Sequence, residues 1–425
     1  MSTEIESDGP AIEVPADAPS LLGKGTEGGV GEALSAYWSR VRGGDMGPLP
    51  AVGGLVVLVA IFAVANPLFL TQRNIANLFT QAAPLVTLAM ALVFVLLLGE
   101  IDLSAGVTFG TAMGVFVKIT QPGGMAWPLA LLISLAIGAA IGTFIGFFVA
   151  RIGVPSFVVS LGLFLGLQGV MLVIIGAGGT YILNPAPILA IENNNLPPLL
   201  GWLMLVVALA ALLVVALIDR RRRIASGAPN PPLSIMIAKL GVIALLGAAV
   251  VFYLNQDRGS ALHPLQGVPI VVPIILLIIM VGTYVLDRTR YGRYLYAIGG
   301  NAEAARRSGV NVALVKWTAF ITCSVLAVVA GVFYVSQVGS ADASTGTQIV
   351  LSGVAAAVVG GVSLFGGRGR LMHAVLGGTV IAVITNGMGL LSFSAGANLA
   401  VTGGVLVLAA TVDALARKRS GATGV

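Results

Sequence analysis

Long apolar runs alternate with short polar connectors along this chain, and the runs recur at close to the length of a membrane crossing. A helix of about twenty apolar residues spans the hydrocarbon core of a bilayer. Runs of that kind fall near 49–70, 79–98, 104–120, 127–149, 156–176, 198–218, 235–254, 269–286, 313–335, 348–364, 371–391 and 396–413. The pattern predicts an all-α fold, a polytopic transmembrane helical bundle with about 12 membrane-spanning segments. Residues 1–47 carry no such run. They are rich in Gly, Pro and acids, among them Glu4, Asp8, Glu13, Asp17 and Glu27. Too little apolar surface is present there to fold alone, so a disordered cytoplasmic tail is expected, with a short interfacial helix over 37–42. That tail has neither the basic start nor the early apolar core of a signal peptide. Residues 48–418 form the expected membrane domain.

Composition agrees with the pattern. The chain is 57% hydrophobic and 9% charged, with a mean hydropathy of +1.00, whereas soluble domains carry roughly a quarter charged residues. Its net charge of +6 comes from connectors, and no continuous soluble basic domain exists to bind nucleic acid. The single cysteine, Cys323, excludes an intrachain disulfide, and no cysteine cluster is present for a metal. His263 and His373 lie in or near separate loops and make no joint site.

The connectors set an orientation. In a twelve-span chain, Arg151, the run Arg220, Arg221, Arg222 and Arg223, the connector 287–311, the pair Arg368 and Arg370, and Arg417 with Arg419 all fall on one side. The positive-inside rule places that side, and both termini, in the cytoplasm; Arg73 and Arg258 fall outside, which a statistical rule tolerates.

Connector 287–311 is the longest basic one, DRTRYGRYLYAIGGNAEAARRSGVN. Asn301 is placed to cap a short helix with Glu303 in its first turn, and Gly309 to stop it. Ala302, Ala304 and Ala305 give that helix a smooth face, and it is too short to be stable without packing or a partner. On residues alone, the segment is either a basic connector that orients the protein or a docking element. Its wording adds to this. Tyr-Gly-Arg at 291–293, Ala-Ile-Gly-Gly-Asn at 297–301 and Glu-Ala-Ala-Arg-Arg-Ser-Gly-Val at 303–310 resemble the coupling-loop signature of bacterial ABC-importer permeases for sugars, the ribose- and xylose-type family. The resemblance covers roughly 66–182 and 269–412. Between them, 183–268 supplies an extra helix pair around 220–232 that shorter ribose-type permeases lack, which is similar to the xylose-type form.

The resemblance implies the membrane-spanning permease subunit of an ATP-driven importer, not an enzyme, multi-pass in the bacterial inner membrane. It implies a homodimer, a cytoplasmic ABC ATPase with two nucleotide-binding halves, a periplasmic sugar-binding protein, and a pentose such as D-xylose as substrate. No cofactor is implied. Gly299, Asn301, Glu303, Ala304, Ala305, Arg306 and Gly309 would then couple to the ATPase. The residues themselves fit the division of labour: no GxxxxGK[ST] phosphate loop exists, and the Gly-rich stretches 23–31 and 366–369 lack that spacing.

Candidates for the transport route are fewer. GEIDLSAG at 99–106 is echoed by GGVSLFGG at 360–367, and paired Gly-rich breaks point to a transport site. Both fall on the same side of the twelve-span chain, whereas an inverted repeat needs opposite sides, which leaves open whether one break is re-entrant. Glu100 and Asp102 beside a long apolar run are either acids at membrane depth, which are costly and functional, or interfacial residues of which Asp102 or Ser104 caps the next helix. The stretch resembles the Gly-Ile-Asp-Leu-Ser segment of sugar permeases, and Glu100 departs from the Gly that many relatives carry. Gln168, Ser352, Thr385 and Asn386 are polar groups inside runs that either bond neighbouring helices or, with Asp102 and Ser104, line a pathway for a neutral hydroxylated solute. Gly138, Gly142 and Gly146, and Gly162 with Gly166, form small-residue ladders that serve as packing seams or a subunit interface. Two other classes stand as alternatives: an ion- or proton-coupled secondary transporter using Glu100 or Asp102, and an intramembrane enzyme, for which no catalytic pair is evident.

Overall fold

The computed structural model describes residues 49–422, except 228, 229, 231, 260–263 and 348, and the side chains of 49 and 412–422 are not described. The expected tail 1–47 and helix 37–42, His263, and the side chains of Arg417 and Arg419 lie outside the described residues. In chain order the elements are α1 (Leu49–Ala65), α2 (Gln72–Leu96), α3 (Ala105–Ile119), α4 (Trp127–Phe147) running into a π-turn (Phe148–Ile152), α5 (Ser156–Ile175), β1 (Thr180–Ile182), α6 (Ala186–Asn193), β2 (Asn195–Leu196), α7 (Pro198–Ala225) and α8 (Leu233–Leu254). Then follow β3 (Val268–Pro269), α9 (Val271–Arg288), α10 (Arg290–Gly300), α11 (Ala302–Arg307), α12 (Val312–Val338), β4 (Ser340–Asp342), α13 (Ile349–Val359), α14 (Leu371–Leu390) and α15 (Ala395–Ala422). Among the described residues, eight helices are long and apolar enough to cross a membrane, and four shorter apolar ones complete the set, one in each expected run.

The centre is α2. Leu88 through Val93, and Val95 through Leu97, have no exposed surface. A helix that is apolar all round is buried on all sides, and α2 is held between α12, α14 and α13. Next to it lies α12, seated on α4 along a glycine seam. A Cβ at Gly142 would stand 2.7 Å from the Ile321 Cα, and one at Gly146 would stand 2.3 Å from the Trp317 ring. The ladder 138–142–146 is therefore an internal seam. Gly162 and Gly166 have nothing within 4 Å, so their face of α5 is open. The helix pair α7–α8 is peripheral: only 6% of the apolar window in each helix is buried.

Two expected crossings are replaced by shorter helices. At 1.5 Å per residue, α3 is about 22 Å long and α13 about 16 Å, against a core of roughly 30 Å. Irregular backbone at that depth is tolerated where protein buries it, and both helices meet it. Before α13 the chain runs without helix past Thr345 and Gly346 and crosses α3 backbone to backbone: a Cβ at Gly110 would lie 1.9 Å from the Thr345 carbonyl oxygen, and one at Gly106 2.3 Å from that of Gly346. At the other end, 97–104 joins α2 to α3 and 360–370 joins α13 to α14. These are the two echoed Gly-rich stretches, and they touch: the Gly367 amide donates to the Leu97 carbonyl at 2.9 Å.

Two short antiparallel ladders tie connectors far apart in sequence. Thr180 faces Asp342 and Ile182 faces Ser340, while Asn195 faces Pro269 and Leu196 faces Val268. The basic connectors are likewise gathered by contacts with one another. Arg288 pairs with Asp219 at the end of α7, Tyr296 bonds to Gly369, and the Arg151 guanidinium lies 5.8 Å from the Trp317 ring centroid.

Candidate functional site

The basic end is built on the reversal between α9 and α12. Thr289 ends α9 and caps α10, its hydroxyl accepting from the Gly292 amide at 3.2 Å. The turn closes so tightly that a Cβ at Gly292 would lie 2.0 Å from the Leu286 carbonyl oxygen, which explains the glycine of Tyr-Gly-Arg. Gly292, Leu295 and Ile298 face inward from α10. Tyr296 donates its hydroxyl to the Gly369 carbonyl at 2.8 Å. Burial, with Asp287 adding to it and Arg370 opposing, pushes that phenol up to about 12, so it remains a donor at neutral pH.

Asn301 caps α11, its Oδ1 accepting from the Ala304 amide at 2.9 Å. Gly309 turns the chain out at φ +84°. Glu303 accepts from Arg306 at 2.9 Å and from Arg307 at 3.3 Å. Both pairs are exposed, worth only some tenths of a kcal/mol each, so α11 is held mainly by packing. The packing comes from Ala305, which is 6% exposed and joins the core. The expectation that Ala305 lies against a partner is thereby corrected, because its methyl points into its own protein. The outward side of α11 carries Glu303, Ala304, Arg306 and Arg307.

Beside α11 opens a cavity of about 540 Å³ lined by Glu100, Ala150, Val154, Arg306, Asn311 and Lys316, among others. Lys316 donates to Glu100 there. Glu100 thus sits at the basic end in an ion pair, joining the start of α12 to the connector 97–104. Asp102 in the same connector has no exposed surface. Its Oδ1 accepts from the Ser104 amide at 2.9 Å and hydroxyl at 2.6 Å, while Oδ2 has no geometric hydrogen-bond partner, although the buried Cys323 thiol lies close to the carboxylate. Ser104 precedes α3 but makes no side-chain cap, because its hydroxyl is turned to Asp102.

The remaining polar candidates do not gather with this pair. Asn386 donates to Asn74 at 3.0 Å and to Gln81 at 2.9 Å, and accepts from Asn74 at 2.9 Å. Its amide is fully engaged in fastening α14 to α2. Gln168 and Ser352 are half-buried on α5 and α13, and Thr385 is exposed. Sequence reasoning missed a set of buried hydroxyls without partners, Thr87, Thr108, Thr111 and Ser324. Thr108 and Thr111, one turn apart directly after a Gly-rich break, were the available signal. It also missed Glu192 on α6, 5% exposed with both carboxylate oxygens unpartnered. Burial pushes that carboxyl to about 9, so it is uncharged at neutral pH.

A family model described as "Branched-chain amino acid transport system / permease component" matches residues 74–410. The chain is 32% identical over 372 residues to the xylose transport system permease protein of Escherichia coli K12, covering 86% of this chain and 92% of that one. It is 31% identical over 369 residues to the xylose transport system permease protein of Haemophilus influenzae, covering 86% and 95%. It is 30% identical over 359 residues to the ribose import permease protein of Escherichia coli K12, covering 84% and 91%. No solved structure matches the chain.

Proposed function

The chain belongs to the family of transport permease components whose model it matches over residues 74–410, and on that premise we propose that it is the membrane-spanning subunit of an ATP-driven ABC importer for a monosaccharide. A pentose such as xylose is the first substrate. The observation that carries this reading is the 32% identity to a xylose permease across 86% of the chain, which includes the α7–α8 pair. Ribose is the second sugar, supported by the 30% identity to a ribose permease.

Two copies of the permease would form the pore in the inner membrane. A periplasmic binding protein would deliver sugar at the end that carries the two small ladders. A cytoplasmic ATPase would dock at the basic end, on the outward side of α11. Glu303, Ala304 and Arg306 would touch it directly; Asn301 and Gly309 would set the helix at its two ends, and Ala305 would anchor it from behind. Closure of the ATPase on ATP would then push α11, and α9 and α12, which flank the loop, would tilt. Since α12 packs along α2, α3 and α4, its tilt would reshape the centre of the bundle, where Asp102, Ser104 and the buried threonines of α3 offer neutral or hydrogen-bonding groups to a sugar.

The test uses Ala304, which is exposed on α11. A tryptophan there forces a fitted surface apart, at a cost of about 1–3 kcal/mol. Ala304→Trp should leave a permease at normal level in the membrane that copurifies poorly with its ATPase and no longer supports ATP-driven uptake. Retention of both copurification and uptake would show that α11 does not dock.

A further inference from the structure

Gly299 is the last residue but one of α10, two residues before Asn301, the cap of α11, yet it does not face outward. A Cβ at this position would lie 1.8 Å from the Leu97 carbonyl oxygen and 2.4 Å from the Gly367 nitrogen. Those two atoms are themselves hydrogen-bonded at 2.9 Å. One belongs to the connector between α2 and α3, the other to the connector between α13 and α14. Across the same point, a Cβ at Gly366 would meet the Gly99 nitrogen at 2.8 Å and the Gly299 oxygen at 3.0 Å, and one at Gly367 would meet the Gly300 nitrogen at 3.1 Å. Gly366 and Gly367 have φ of +85° and +71°, values that disfavour a side chain. Three segments therefore meet backbone to backbone, and the Tyr296 hydroxyl bond to Gly369 clamps α10 to the third of them at 2.8 Å. Gly300 differs: a Cβ there meets nothing within 4 Å.

We propose that Gly299 is a positioning residue of transmission, not of docking: it seats the α10–α11 unit directly on both helix breaks, so that movement of that unit reaches α3 and α13 together. A contact made of side chains can absorb displacement by changing rotamers. Backbone atoms in direct contact have no such freedom, and packed interfaces shift between discrete arrangements more readily than they deform. The junction also explains why two short helices, one from each echoed Gly-rich stretch, begin or end at one place. This inference rests on the reading of α11 as the ATPase-coupling helix.

The experiment uses the whole transporter, permease with its ATPase and binding protein, reconstituted in lipid. Membrane level, ATPase copurification, ATP hydrolysis with and without sugar-loaded binding protein, and uptake are measured together. Gly299→Ala and Gly367→Ala should keep normal level and copurification. In both, stimulation of hydrolysis by the loaded binding protein should disappear, and uptake should fall by about tenfold or more. Gly300→Ala should behave as wild type. Tyr296→Phe removes one bond across the junction without adding an atom, and should lose part of the stimulation even if the alanine variants fail to reach the membrane. Full stimulation in Tyr296→Phe, or in either alanine variant, overturns the proposal. So does loss of copurification by Gly299→Ala alone, which would make Gly299 a docking residue. Failure of the wild-type permease to copurify with any ATPase would instead defeat the coupling reading on which the inference rests.

Discussion

Asp102 divides its carboxylate between two environments. Oδ1 is used up by Ser104, and Oδ2 is buried with no geometric hydrogen-bond partner. Asparagine in its place would keep the Oδ1 acceptor and set an amide donor where Oδ2 stands. If Oδ2 accepts a hydrogen bond during the cycle, Asp102→Asn should lower uptake by about three- to tenfold, the worth of one hydrogen bond. Copurification with the ATPase and the amount in the membrane should not change. Normal uptake at equal level would reduce Asp102 to a residue that shapes its own turn. The sequence made Asp102 and Ser104 visible because an acid beside an apolar run is rare. It could not reveal which way a small side chain faces. Ala304 and Ala305 are adjacent and chemically identical, and only packing against the core separates the exposed one from the buried one.

At the level of elements, hydropathy located every apolar helix but not its length. The run 348–364 is apolar throughout, yet α13 occupies only Ile349–Val359, because Gly360 approaches the His373 carbonyl and Gly361 takes φ +104°. A hydropathy window counts apolar residues and does not register a positive φ. Elements outside the long apolar runs were missed, because a hydropathy window has no signal for them: α10, whose sequence mixes Arg with Tyr and Gly, the short α6, and the strands of the two ladders. The α7–α8 pair was legible, since two long apolar runs flank four arginines. Its connector carries the orientation of the molecule into a direct test. Ser226 is exposed at the end of α7, and the only cysteine, Cys323, is buried. A single cysteine at Ser226 should react with an impermeant thiol reagent only after cells are opened, because four consecutive arginines resist translocation. Labelling in intact cells would reverse the assigned orientation.

For the whole molecule, a rigid centre of α2, α12 and α14 carries a basic platform at one end and two small ladders at the other. The platform contains the exposed short helix α11 and the backbone junction behind it. Three of its acids are held in ion pairs: Glu100 by Lys316, Glu303 by Arg306 and Arg307, Asp219 by Arg288. An exposed helix on that platform suits an energy input delivered by a partner, whereas a proton carried by this chain would call on the buried acids Asp102 and Glu192. Reconstituted vesicles holding the permease, its ATPase and its binding protein decide the matter through uptake of labelled xylose. The account predicts uptake that requires ATP, the ATPase and the binding protein together, and that an uncoupler leaves intact. Uptake that persists without the ATPase and collapses with the uncoupler would contradict it.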